Sequence, residues 1–423
     1  MIKKVTLLAV LFFLLSCTAC NSQRAPAETP LKDETALPPA SEPSPAQEKT
    51  LPEPSATVPS PAEISNDPEE GSIPAAVSYI RKTQSGSEIA SFSLNKDLEY
   101  AAIPIVQEGM YLQGPSAIDS QNNLYITYGF KDNYISKLSP DGATQTEKLP
   151  FSWYFQSLWY GDKLLVIPSS STSEMYLINT NLDIQVVSPA LNAVPEGEVS
   201  FNPGTLGIAN GSANLAIWTF TLPVRNAEGE FAHYRTFNLE TGEKTDEMVP
   251  IPLSIENMAH TDNPTDRLGT LVYGVDPANK NALLCYGTSE GDNSILTTLE
   301  LYNSSSREAI YQERRCCLNN VFDLRGDTFI EQGSAESCSA LTVQNWSDMQ
   351  PAFDYQPYLT KGSNNIVSNG LYWVIKTNAQ VFIFNKDKRL EASYNLPPEL
   401  LPDTLPNDLV YGSTLVVGLF MGD

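Results

Sequence analysis

One short run of residues returns again and again along this chain. After a polar turn the sequence reads Leu124-Tyr-Ile-Thr-Tyr-Gly, then Leu164-Leu-Val-Ile-Pro, Leu215-Ala-Ile-Trp-Thr-Phe, Leu283-Leu-Cys-Tyr-Gly, Thr328-Phe-Ile-Glu-Gln-Gly, Tyr372-Trp-Val-Ile-Lys and Leu415-Val-Val-Gly-Leu. Each run is rich in β-branched and aromatic residues and is bounded by Gly, Asn or Asp, the pattern of a strand between turns. No long stretch carries the 3.6-residue apolar period of a helix. The step between runs is about 40–50 residues, with one longer step from Leu215 to Leu283. Such a chain is expected to be all-β, built from similar units that bury their faces by stacking on one another. The long step predicts an insertion around Glu243–Leu268.

A second run follows several of the first: Tyr134-Ile-Ser-Lys-Leu-Ser-Pro-Asp-Gly, Met175-Tyr-Leu-Ile-Asn-Thr, Arg235-Thr-Phe-Asn-Leu-Glu-Thr-Gly and Val381-Phe-Ile-Phe-Asn-Lys-Asp. Four-stranded units at this period are the blades of a β-propeller, and the second run fits the third strand of a blade with its turn into the fourth. Gly114–Gly142, with Pro115-Ser-Ala-Ile-Asp-Ser-Gln-Asn-Asn-Leu-Tyr-Ile-Thr and Leu138-Ser-Pro-Asp-Gly, resembles one blade of the NHL or SMP-30-like propellers. The resemblance implies a fold and carries no activity with it. Near the start of the folded part, Ile89-Ala-Ser-Phe-Ser-Leu94-Asn-Lys-Asp97 matches Val381-Phe-Ile-Phe384-Asn-Lys-Asp387. The final run, read as a second strand, lacks the outer strands of its blade. The fold expected is therefore a seven-bladed β-propeller closed by pairing of N- and C-terminal strands, with six or eight blades as the alternatives. Closure leaves no open sheet edge.

The chain ahead of the repeats has a different composition. Met1–Lys4 is basic and Val5–Leu15 is apolar, with the length of a signal-peptide h-region and too short to span a bilayer as a helix. Leu14-Leu15-Ser16-Cys17 resembles a bacterial lipobox, which implies that the thiol of Cys17 takes a lipid; Cys20, after Ala19, is the alternative site. Residues 1–20 are thus read as a lipoprotein signal and residues 77–423 as the propeller. Residues 21–76 form a tether rich in Pro, Glu and Ser that cannot bury enough apolar area to order itself. The formal net charge is −24, which excludes a nucleic-acid partner because phosphate binding needs a cationic footprint. The membrane is reached through the anchor alone, on the outer side of the cytoplasmic membrane or on the outer membrane.

Four cysteines fall in the repeats. Cys316, Cys317 and Cys338 lie in connections that open on one face of a blade, and with Cys285 they are disulfide candidates whose connectivity stays open. No spacing suits zinc, no cofactor motif is present, and two histidines leave little for catalysis. Asp119, Asp276 and Asp323 recur near the innermost strands, where a turn-capping role is expected ahead of a cation site. The candidate binding residues are Phe151, Trp153 and Tyr154, aromatics in the loop entering the second blade, with Arg225–His233 a polar loop on the same face. Packing between blades is the competing role for the aromatics. The function expected is binding or scaffolding of a protein or glycan partner in the cell envelope. The alternative is an extracellular hydrolase or lactonase using acids in the propeller funnel.

Overall fold

The structure, a computed structural model, describes residues 73–421 except 108, 153–154, 169–173, 189–203, 210–213, 256–265, 290–294, 316–319, 326, 333–340, 360–364 and 397–415. Packing separates Met1–Ile64 from Ser65–Asp423. The first unit, with Cys17 and Cys20, lies outside the described residues. So do Trp153, Tyr154, Cys316, Cys317 and Cys338.

The chain begins with β1 (Ala76–Thr83), β2 (Gly86–Ser93) and β3 (Ile103–Ile105). A four-stranded meander follows: β4 (Tyr111–Ile118), β5 (Leu124–Gly129), β6 (Asn133–Leu138) and β7 (Thr144–Lys148). The next holds β8 (Phe155–Tyr160), β9 (Lys163–Pro168), β10 (Met175–Asn179) and β11 (Ile184–Ser188). Then come β12 (Gly204–Ile208), β13 (Leu215–Phe220), the short β14 (Val224–Asn226), the long β15 (Gly229–Asn238) and β16 (Lys244–Ile251). Strands β17 (Leu268–Asp276), β18 (Asn281–Ser289), β19 (Ile295–Asn303) and β20 (Glu308–Arg315) make another meander. They are followed by β21 (Asn320–Arg325), β22 (Thr328–Gln332) and β23 (Leu341–Asn345). The last set is β24 (Asn365–Ser368), β25 (Tyr372–Lys376), β26 (Gln380–Asn385) and β27 (Leu390–Asn395), and β28 (Val416–Phe420) stands alone after it. Among the described residues the only helical element is a 3₁₀ turn at Gln356–Tyr358.

These strands form a propeller arrangement. Each meander runs antiparallel from an inner to an outer strand, and apolar clusters lie between successive sheets. Leu158, Leu177, Leu206 and Trp218 join the second meander to the third. Tyr234, Ile251, Val272 and Leu284 carry on to the fourth, and Leu301, Phe329 and Trp346 to the next. Ile330, Ile366 and Phe382 continue the circuit, and Val374 and Ile383 then meet Val77 and Leu419. Ile89, Ile118 and Leu124 return it to the first meander, and Tyr125, Trp159 and Ile178 complete it. Because both faces of a sheet are covered, second strands read as continuous apolar runs: every residue of β5 is buried, whereas every residue of outer β7 is exposed. Inner strands also pair in parallel, β28 with β4 and β12 with β21.

The ends close as the sequence match requires, with one correction. Val416–Phe420 is the innermost strand of its sheet and not a second strand: it pairs antiparallel with β1 (Val77↔Val417), and β1 leads outward to β2 and β3. The start of the folded part therefore supplies three strands. The equivalence of β2 with β26 holds, since both are third in their sheets. The long step has a second correction. Lys244–Ile251 is the fourth strand β16, paired along β15, and the extra length comes from the β14–β15 extension and from residues 252–267.

Candidate functional site

The β14–β15 extension adds to its sheet a feature absent from the other described meanders. After Phe220 the chain leaves the β13 ladder, forms β14, and returns through Ala227-Glu228 into β15, whose far end pairs with β14 and with β16 at once. Register places Val224, Phe231, His233, Met248 and Pro250 on one face, because residues directly opposite in a ladder share a side. Arg225 and Glu230 are opposite each other on the other face.

That reverse face is tied down by a buried carboxylate. Glu230 is 4% exposed and accepts from the Ser254 hydroxyl at 2.7 Å and from the Ser254 backbone N–H. Arg225 donates to the Ser254 carbonyl oxygen and lies 3.7 Å from Glu230. The segment after β16 is thereby clamped to the hairpin. Ile255 N–H also bonds the Arg267 carbonyl, and the Arg267 guanidinium makes a two-point pair with fully buried Glu300 at 2.6 and 2.8 Å. Glu300 further accepts from the Tyr286 hydroxyl at 2.8 Å and from Gln312, while Arg267 covers the Tyr286 ring at 4.4 Å. Burial, then the Glu300 charge, raises the Tyr286 pKa, so its hydroxyl remains a donor.

The front face has a buried, partly charged base and an exposed apolar residue above it. His233 stacks on Phe220 with ring centroids 4.4 Å apart, and Arg235 lies over the same ring while pairing with Asp246. On this face Met248 is 51% exposed; Leu222, ahead of β14, and Leu253, after β16, are 39% and 64% exposed. Three of the seven large apolar side chains exposed among the described residues thus lie on β16 or in the connections flanking β14 and β16. A rigid clamped base carrying flexible Met and Leu side chains is suited to contact another macromolecule.

The sequence-selected residues fall as follows. Phe151 is half-buried, 5.3 Å from the Tyr176 ring, and packs with Trp159 and Ile184 between the first and second meanders. Trp159 donates to the Pro115 carbonyl at 2.9 Å. Asp119 caps its own turn, accepting from Gln121 N–H, Asn123 N–H and the Tyr125 hydroxyl. Asp276 does the same with Ala278 N–H and Asn279. Asp323 lies within β21 and not after it. Cys285 is buried in β18 against Leu283 and Phe329. The Arg225–His233 loop is a hairpin, and the structure adds Met248 and Leu253 to it; the lone Met in the charged run Lys244-Thr-Asp-Glu-Met-Val was the available signal. Among the described residues no group of three or more His, Cys, Asp or Glu side chains could hold a metal ion.

No protein-family model matches this sequence, and no curated protein matches it. Solved structures with some likeness include BamB from Moraxella catarrhalis (14% identity, 75% of this chain and 87% of that one, TM-score 0.33). TolB from Acinetobacter baumannii gives 12% identity over 76% and 80%, with TM-score 0.30. Apo AztD from Citrobacter koseri gives 9% over 78% and 85%, with TM-score 0.31. Likeness at this level adds no argument, and the fold stands on the sheet pairing and clusters given above.

Proposed function

We propose that this chain is an exported lipoprotein whose propeller binds a protein partner in the cell envelope through the β14–β16 platform. The observation that carries the reading is the exposure of Met248 on β16, and of Leu222 and Leu253 in the connections beside it, around a hairpin anchored by buried Glu230. Aliphatic and thioether contacts favour a protein surface over a glycan, which would call for exposed rings. The lipobox at Cys17, with Cys20 as the alternative, supplies the anchor, and residues 21–72 supply reach, while the end of the expected tether packs into the fold, with Ala75 and Ala76 fully buried. On this reading the ring has seven blades: six meanders in chain order and a seventh formed by β28 with β1–β3.

A photo-crosslinking residue at position 248 in envelope-bearing cells tests the platform. The expected result is a discrete protein adduct that Leu253→Asp reduces at least fivefold and that the same probe at Lys148 does not give. Equal adducts from both positions would refute the platform, and binding on a glycan array would transfer the role to a sugar partner. Mass spectrometry of a Cys17→Ala variant tests the anchor; loss of the acyl mass is expected, and retention would move the site to Cys20.

A further inference from the structure

Strand β28 is separated from its sheet neighbours along the chain. It follows residues 397–415, which could reach about 65 Å if fully extended. It fills a slot between β1 and β4, with Ala76↔Gly418, Val77↔Val417 and Ser78↔Val416 on one side and Gly418↔Ser116, Leu419↔Ala117 and Phe420↔Ile118 on the other. Without it the β3-β2-β1 sheet and the β4–β7 sheet share no ladder. Its side chains are spread widely: Val417 and Leu419 enter the cluster of β1, β25 and β26, Phe420 the cluster of β4 and β5, and Met421 beyond it the cluster around Trp159. Every one of these contacts is made by a strand, not by the connection that brings it, so a strand from elsewhere satisfies them equally.

We propose that this slot is an exchangeable strand-binding site, and that its occupant in trans is the Val416–Phe420 strand of a second copy of the chain, given reciprocally. Selection for that sequence lies in the slot itself. A Cβ on Gly418 would sit 3.1 Å from the Leu124 side chain, so any larger residue there must push Leu124 aside, and the flanking Val417 and Leu419 are buried, which favours a small residue between apolar ones. An exchanged pair makes no contact that the single chain lacks, which is the condition for low-cost strand swapping. The balance is one of concentration: a chain's own strand competes at an effective concentration in the millimolar range.

The experiment uses full-length chains. Val77→Cys and Val417→Cys are made as separate variants, purified, mixed at about 100 μM and oxidised. Each new thiol faces a valine of its own chain, so a disulfide joining the new thiol of one variant to that of the other forms only after strand exchange. The expected result is a covalent dimer at least fivefold above either variant alone, with the bond between positions 77 and 417 identified by peptide mass spectrometry. The Val77→Cys/Val417→Cys double variant, which closes the bond within one chain, establishes that the pair is folded and competent. Ser78→Cys with Val416→Cys gives a second register pair should either valine variant fold poorly. A mixture that stays at single-variant background, under conditions that close the double variant, overturns the proposal.

Discussion

Lys376 ends β25 with 8% of its surface exposed, on the side of the sheet that carries Val374. Burial is the one influence on its titration, and that burial lowers its pKa from 10.5. The charged form is disfavoured in the folded state and free in the unfolded one, so the unfolded state binds more protons between the folded-state pKa and 10.5. Stability therefore rises with pH through that window. Lys376→Met is expected to stabilise the fold at pH 7 by about 1.4 kcal/mol for each tenfold loss of proton affinity on folding. The gain shrinks toward pH 10.5, and urea unfolding at pH 7 and pH 10 measures both values. Glu300 makes the opposite case. It is fully buried but answered by Arg267, Tyr286 and Gln312, and Glu300→Gln strands the guanidinium at a cost of about 3–5 kcal/mol. Adding Arg267→Leu to that variant is expected to recover part of the loss, which a double-mutant cycle in urea would show. Neither site is readable from the sequence, because an isolated Lys or Glu in a strand carries no mark of what will cover it.

Turns between third and fourth strands repeat one device. Asn179, Asn238, Asn303 and Asn385 end third strands, and each side-chain oxygen accepts a backbone N–H two to four residues on. A left-handed residue follows: Leu182, Gly242, Arg307 and Lys388 have φ of 65°, 72°, 58° and 63°. Gly takes this conformation without the Cβ penalty, so replacing half-buried Lys388 in Lys388→Gly is expected to raise stability by about 0.5–1 kcal/mol, read as a shift in the unfolding midpoint. These turns are the most legible part of the fold. Asn-Lys-Asp and Asn-Leu-Glu-Thr-Gly announce themselves by residue type, and the buried second strands do so by their unbroken apolar runs. Strand order within a sheet leaves no such mark. Val417-Gly-Leu-Phe is as apolar as β5 because inner and second strands are both covered on two faces, so composition does not separate the two positions. The platform is half visible: Arg225–His233 shows as a polar loop and Met248 as a lone apolar residue in a charged run, but the sheet extension that brings them together is set by long-range pairing that no local residue pattern encodes.

Closure decides how the molecule as a whole responds to damage. A linear stack of sheets loses stability locally, since each unit touches only its neighbours. Here the circuit of clusters returns on itself, and β28 is the strand through which it does so. Leu419 is fully buried at that junction, so Leu419→Ala should cost about 2–5 kcal/mol through lost burial and the cavity left behind. If the ring unfolds as one cooperative body, that cost appears everywhere. Hydrogen-exchange protection of the Leu284 amide in β18, across the ring from the substitution, should fall by the same free energy as that of Ile89 in β2. Loss confined to β1–β7, with β18 unchanged, would mean that the sheets open one by one and that closure through β28 is a local latch. Uniform loss would make β28 the element on which the stability of the whole platform-bearing ring depends, since the sheet that carries Met248 is held in place by both of its neighbours around the circuit.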